Sequence, residues 1–119
     1  MSLRDKLLAK THRRYQFVEI DGDTFWIQSL TDAERVKLDL LQINRKTNKV
    51  DFDKLPEVKA KMLCMALVEG DRGQACFDES EWQQLMTLDS RVVAKLYSDC
   101  LKHNGYEDKE IQELVGNSD

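Results

Sequence analysis

The sequence has little proline, little glycine and few cysteines, and each shortage excludes a class of protein. One proline and five glycines among 119 residues leave no stretch typical of a flexible linker or a low-complexity tail. The three cysteines, Cys64, Cys76 and Cys100, are odd in number and form no CxxC pair. A secreted disulfide framework needs paired cysteines. We therefore expect one folding unit with reduced thiols in a cytosol.

Long hydrophobic runs are also missing. No stretch approaches the roughly 18 apolar residues that a membrane helix needs. The charges at Arg4, Asp5 and Lys6 are untypical of the apolar start of a signal peptide. The sequence thus predicts a soluble protein that contacts no membrane.

Charge is unevenly distributed along the chain. The formal net charge is −4, which disfavours binding to a phosphate backbone. Residues 1–14 nevertheless carry five basic side chains against Asp5 alone. We predict a basic N-terminal arm over residues 1–14 and a single globular domain over 15–119. A solvated arm is the favoured interpretation, and docking on an acidic partner is the alternative.

A β-hairpin is predicted near the N-terminus. Aromatic and β-branched residues over 15–20 and 24–27 flank the turn sequence Asp21-Gly22-Asp23, and an Asp-Gly pair in that setting is a strong hairpin signal. Neither face of the hairpin is cleanly polar. Because an isolated hairpin is unstable, one face must pack on helices.

Helical patterns occupy most of the remaining chain. A capping box at Thr31 and Glu34 begins one helix, whose apolar stripe is Ala33, Val36, Leu40 and Ile43, with Leu41 beside it. Residues 44–54 are polar and predict a loop.

Pro56 suits the first turn of the next helix. That helix is apolar around much of its circumference, is predicted to be the most buried, and ends at Gly70.

Further helices are predicted after Asp78 and Asp89, with Gly105 ending the second of them. A short closing helix would contain Ile111, Leu114 and Val115, and residues 3–10 would form one or two marginal turns. Strands followed by helices predict an α+β fold, mostly helical, with an N-terminal β-hairpin packed against four or five α-helices.

Groups suited to catalysis or metal binding do not converge in the sequence. His12 lies in the basic arm and His103 at a helix end, and neither has a Cys or Asp partner at a recognisable spacing. Zinc-ligand pairs and nucleotide-binding motifs are missing from the sequence. Gly73 follows Asp71 at the wrong position for a calcium loop. We expect no enzyme activity, no metal and no cofactor.

Large, adaptable apolar side chains are the features suited to a function in protein binding. Each of Trp26, Trp82, Met62, Met65 and Met86 is individually more typical of a core. A small helical domain has limited interior, however. We therefore predict that one of Trp82, Met86 or Tyr97 is partly exposed in a groove and contacts a protein partner.

Several short motifs follow one another along nearly the whole chain. The chain opens with SLRDKLLA over residues 2–9. Hairpin and helix-start motifs follow as Phe25-Trp26-Ile27, Leu30-Thr31 and Glu34-Arg35. An apolar helix and an acidic glycine turn then read Leu67-Val68-Glu69-Gly70-Asp71-Arg72-Gly73 and Phe77-Asp78. The last motifs are Val92-Val93, Leu96-Tyr97, Leu101, Asn104-Gly105, Glu113-Leu114 and Asn117.

In this order and spacing the motifs resemble those of the tail assembly chaperones of long-tailed (siphovirus-type) bacteriophages. Two departures are that Glu69-Gly70-Asp71 stands where Asp-Glu-x-Gly is more usual, and that residues 44–54 match no part of the family pattern.

The resemblance implies a non-enzymatic chaperone that binds the tape measure protein during tail morphogenesis in the host bacterial cytoplasm and is absent from the mature virion. It also implies that a longer, frameshifted form would recruit tail tube protein. Many copies on one long client would gain from contacts with each other, so we expect weak self-association.

A second function stays open from the sequence. The basic arm suits a phage regulatory or host-interaction protein that binds a host protein or DNA. The effect of removing residues 1–14 would distinguish this function from client binding.

Overall fold

The α+β fold predicted from the sequence is the one observed. A computed structural model describes residues 2–44, 46–70 and 73–106. The α-helices are α1 (Leu3–Leu8), α2 (Asp32–Gln42), α3 (Leu55–Ala66), α4 (Trp82–Leu85) and α5 (Ser90–His103). The strands are β1 (Tyr15–Ile20), β2 (Asp23–Gln28), β3 (Ile43–Asn44), β4 (Lys49–Val50) and β5 (Leu67–Val68). The closing helix predicted around Ile111 lies outside the described residues.

Strands β1 and β2 form the predicted hairpin. Asp21 and Gly22 both have positive φ angles, of 52° and 84°, which is the conformation of a type I′ turn and explains the Asp-Gly pair. The register runs from Ile20 opposite Asp23 to Tyr15 opposite Gln28. Strand β5 pairs with the other edge of β2, so the sheet order is β1-β2-β5.

Strand β5 corrects the prediction that the helix after Pro56 continues to Gly70. Helix α3 ends at Ala66, and Leu67 is already extended, with φ −75° and ψ 125°. Leu67 and Val68 are buried and pair with Ile27 and Trp26. The apolar run is therefore shared between a helix and a strand, because β2 gains backbone partners that a longer helix could not supply.

The predicted apolar stripe of α2 faces solvent, which is the second correction. Ala33, Val36, Leu40 and Ile43 are exposed, whereas Leu38 is buried and Leu41 is half-buried on the opposite side. The capping box itself is confirmed: the Glu34 amide donates to Thr31 Oγ1, and the Thr31 amide donates to Glu34 Oε1. The helix thus begins where the sequence predicts but is rotated relative to the expectation.

The polar segment 44–54 is more ordered than the predicted loop. Strands β3 and β4 pair through Ile43 opposite Val50 and Asn44 opposite Lys49, and a 3-10 turn follows over Phe52–Lys54. Asn48 has a φ of 56°, a left-handed conformation that asparagine tolerates. Strands of two residues show no sequence periodicity, so the pairing of β3 with β4 was not predicted.

Helix α3 is the central helix, as predicted, and Pro56 lies in its first turn. Its buried residues are Val58, Ala60, Met62, Leu63, Cys64 and Ala66. The core that they form also takes in Val18, Ile27, Leu85, Leu96, Cys100 and Leu101. Helix α3 therefore packs against α2, α4 and α5, and α5 also contacts β1 and β2.

The capping positions predicted at Asp78 and Asp89 are confirmed, and a 3-10 turn over Glu79–Glu81 separates Asp78 from α4. Asp78 and Glu81 form a capping box before α4. The Asp89 side chain accepts a hydrogen bond from the Arg91 amide at the start of α5. Gly105, with a φ of 86°, follows the end of α5 in the left-handed conformation that glycine favours.

The basic arm contacts the domain through its last two residues. Arg13 donates to Glu34 at 2.8 Å and to the Ser29 carbonyl at 3.1 Å. The Arg14 amide donates to Ser29 Oγ, and its guanidinium donates to the His103 carbonyl, both at 2.8 Å. Residues 2–12, including the whole of α1, are exposed.

Candidate protein-binding groove

A groove lies between the N-terminal half of α3 and the connection from α4 to α5. Its cavity volume is about 600 Å³, within the range of small-ligand sites. One wall comprises Phe52, Leu55, Pro56, Lys59 and Ala60. The other comprises Leu85, Met86, Leu88, Ser90, Arg91, Val93, Ala94 and Tyr97. The lining is mostly apolar and opens to solvent at exposed side chains.

Two of the three residues predicted to contact a partner line this groove. Met86 is 52% exposed, whereas Tyr97 is 6% exposed and contributes mainly its ring. Trp82 is half-buried against the core and is not part of the lining. The structure therefore brings Met86 and Tyr97 together and leaves Trp82 outside the groove.

The sequence analysis missed four residues that define the mouth of the groove. Phe52 and Leu88 are 69% and 42% exposed, and Lys59 and Arg91 supply positive charge beside them. Phe52 is the one aromatic residue of the polar segment 44–54, and this contrast is the sequence signal that indicates a contact residue. Leu88 directly precedes the helix cap Asp89, and Val93 lies four residues after Asp89. This spacing is typical of a hydrophobic staple.

Both charged side chains in the lining are basic. Lys59 Nζ lies 5.2 Å from the centre of the Tyr97 ring, within the range of a cation–π contact. Arg91 Nε lies 3.8 Å from Asp89 Oδ1, in a pair that is largely exposed and therefore weak. The charged side chains that line the groove are thus basic within a chain whose net charge is −4.

The polar side chains of the groove lining are those of Lys59, Ser90, Arg91 and Tyr97. No His, Cys, Asp or Glu is among its lining residues, and burial raises the pKa of Tyr97 to about 12. Burial likewise raises the pKa of Cys64 to about 11 and that of Cys100 to about 12. Over the described ranges, no group of three His, Cys, Asp or Glu side chains converges to hold a metal ion. The mostly apolar lining offers hydrophobic contact to a bound molecule.

Among the helices of the described residues, none combines the length and the apolar character needed to span a membrane.

Comparisons of the chain with protein-family models, with curated proteins and with solved structures found no match. The groove and the sequence motifs are therefore the observations from which a function is argued.

Proposed function

We propose that the protein is a non-enzymatic tail assembly chaperone of a bacteriophage, which binds helical segments of the tape measure protein in its groove. It would act in the host bacterial cytoplasm, leave before the virion is complete, and reach tail tube protein through a longer frameshifted form. The observation that carries the proposal is a mostly apolar groove with exposed Phe52, Met86 and Leu88 and a basic rim.

The mostly apolar lining of the groove supports a helical client. A helix-in-groove complex buries apolar residues spaced three or four apart on the client helix. Covering the exposed parts of Phe52, Met86 and Leu88 would contribute favourable hydrophobic free energy to binding. Lys59 and Arg91 would favour acidic residues beside the client's apolar stripe.

The order of the sequence motifs supports the identity of the client. The resemblance to tail assembly chaperones extends from the N-terminal SLRDKLLA to Asn117. A long, coiled client exposes many apolar helix stripes before the tail tube surrounds it. A small acidic domain that covers such stripes would keep the client soluble.

The test is co-expression with the tape measure protein encoded on the same phage genome. We expect the wild-type chain to increase the soluble fraction of the client and to co-purify with it. Substitution Met86→Glu should lower the affinity for a client fragment at least tenfold, because it places a charge among the exposed apolar side chains that the client would cover. Isothermal titration calorimetry with client fragments measures this change.

Leu40→Glu is the matched control. Leu40 is 59% exposed, a fraction similar to the 52% of Met86. It lies on α2 outside the groove. It should leave client affinity unchanged. Equal loss in both variants, loss in Leu40→Glu alone, or no client binding by the folded wild type would contradict the groove as the binding site.

A second candidate function is favoured by the exposure of α1. Leu3, Leu7 and Leu8 are all exposed, close in sequence to Arg4 and Lys6. An apolar and basic helix of this kind suits an acidic host protein. Truncation of the arm, described in the Discussion, separates this candidate from the chaperone function.

A further inference from the structure

Strand β1 forms an edge of the three-stranded sheet. Within residues 2–44, 46–70 and 73–106, the order β1-β2-β5 leaves one side of β1 without a neighbouring strand. The Ser29 amide donates to the Arg14 carbonyl at 2.8 Å. Arg14 and Ser29 are therefore a hydrogen-bonded pair, and every second residue of β1 after Arg14 is bonded to β2 in the same way. Residues Gln16, Val18 and Ile20 therefore bond to β2, whereas the backbone groups of Tyr15, Phe17 and Glu19 point away from the sheet.

We propose that this edge pairs with β1 of a second copy of the chain, antiparallel, with Phe17 opposite Phe17 of the second copy. The result is a continuous sheet across a two-fold axis. This inference concerns self-association and does not rest on the identity of the client.

The outward-pointing backbone groups are self-complementary in this register. Tyr15, Phe17 and Glu19 are spaced evenly about Phe17. A two-fold axis at Phe17 places Tyr15 of one copy opposite Glu19 of the other. Each such pair can exchange two N–H···O=C bonds, as in any antiparallel ladder. A shift of the register by two residues would leave one of the three outward residues without a matching strand residue.

Charge complementarity favours the antiparallel arrangement. Basic residues Lys10 and Arg14 lie before the start of β1, whereas acidic residues Glu19, Asp21 and Asp23 lie near its end, in the turn and at the start of β2. Antiparallel pairing brings the basic end of one copy beside the acidic end of the other. Parallel pairing would bring like charges together, which is unfavourable.

Strand β1 also lacks the usual protection of an edge. Natural edge strands often carry proline, lysine or a bulge that blocks pairing, and Tyr15–Ile20 contains neither residue and pairs with β2 without interruption. Phe17 is 57% exposed and packs edge-on to Trp26 at a centroid distance of 6.0 Å. A second Phe17 would cover this exposed ring.

The proposed interface is small. Strand pairing over six residues with one central aromatic pair falls below the roughly 1,200 Å² of a standard stable complex. We therefore expect a weak dimer that forms at high concentration. Such a dimer agrees with the weak self-association that the proposed function favours.

The first test compares three chains by sedimentation velocity over a range of concentrations. Phe17→Pro removes an outward N–H, a position where edge strands tolerate proline, and should abolish the dimer seen for the wild type. Thr24→Pro is the control. Thr24 is exposed on β2 and lies outside the β2–β5 pairing. Its backbone amide does not bond to β1, because it alternates with the β2 residues that do. It should dimerise as the wild type does. A wild type that stays monomeric, or a folded Phe17→Pro that dimerises equally, overturns the proposal.

The second test detects the register of the strand pairing by disulfide cross-linking and needs no proline substitution. Residues opposite each other in an antiparallel ladder have Cα atoms about 4.5–5.5 Å apart, within the range of a disulfide. With oxidised glutathione, Phe17→Cys should form covalent dimers, whereas Thr24→Cys should not exceed the wild-type background. Equal cross-linking of the two variants overturns the proposal. A monomeric chain that still binds the client would reject only this inference and not the proposed function.

Discussion

At the scale of single residues, Glu34 joins the end of the basic arm to the start of α2. Its carboxylate accepts from the Thr31 amide at 2.8 Å and from the Arg13 guanidinium at 2.8 and 3.2 Å. Burial acts to raise the pKa of Glu34, but the hydrogen bonds and charge of Arg13 and the cap at Thr31 outweigh it and lower the pKa below 4.5. The same carboxylate therefore caps α2 and attaches the end of the basic arm.

We predict that Glu34→Gln destabilises the protein at neutral pH and has progressively less effect in acid. A lowered pKa in the folded state contributes stability that is present above the ordinary pKa of 4.5 and is lost as the pH falls through the folded-state pKa. The expected cost near pH 7 is about 1 kcal/mol, typical of a weakened cap and a partly exposed ion pair. Urea unfolding of both proteins at several pH values measures it. A cost that is constant or grows below pH 4 would contradict this role.

At the scale of elements, polar anchors set the rotation of α2. Glu34 faces Arg13, and the Arg35 guanidinium carbon lies 4.6 Å from the centre of the Tyr106 ring. These contacts turn the side carrying Leu38 and Leu41 toward the core. The regular stripe ending at Ile43 then faces solvent. Periodicity identifies a helix face, but contacts from distant segments decide whether that face is buried.

The orientation of α2 predicts opposite effects for two leucines that are two residues apart. Leu38→Ala should lower the free energy of unfolding by about 2–4 kcal/mol, because Leu38 is 5% exposed in the core. Leu40→Ala should change it by less than about 0.5 kcal/mol, as is usual for surface positions. Chemical unfolding of the two variants provides the comparison. If Leu40→Ala is the more destabilising change, the helix is rotated as the sequence stripe alone suggested.

At the scale of the whole molecule, the basic arm divides into an exposed part and an attached part. Residues 2–12 are exposed, whereas Arg13 and Arg14 bond to Glu34, Ser29 and His103. The attachment connects the start of β1 to both α2 and the end of α5. A truncation that tests the role of the arm should therefore stop before Arg13.

We predict that deletion of residues 2–12 leaves the melting temperature and client binding unchanged, whereas deletion of residues 2–14 lowers the melting temperature. The first deletion removes exposed residues, and the second also removes the hydrogen bonds of Arg13 and Arg14. Differential scanning calorimetry and client binding test both chains. If deletion of 2–12 instead abolishes a salt-sensitive interaction with DNA or a host protein, the second candidate function is favoured over the chaperone function.

The sequence alone determined the features that local chemistry controls. The Asp-Gly turn, the caps at Thr31, Asp78 and Asp89, and the proline in the first turn of α3 each act within a few residues of the chain. Their geometry is therefore largely independent of the surrounding fold. The expectation that one of Trp82, Met86 or Tyr97 lies in a groove came instead from the limited interior of a small domain, and the groove lining includes Met86 and Tyr97 but not Trp82.

The tertiary structure alone decided the features that depend on segments distant in sequence. Strand β5 exists because β2 offers a partner edge, and α2 is rotated because Arg13 and Tyr106 contact it. Asn104 bonds through its side chain to the Leu30 amide at 2.7 Å and to the Cys100 carbonyl at 2.8 Å, a link across 74 positions that no local pattern predicts. The groove likewise forms only where α3 meets the connection between α4 and α5, because its walls come from separate parts of the chain.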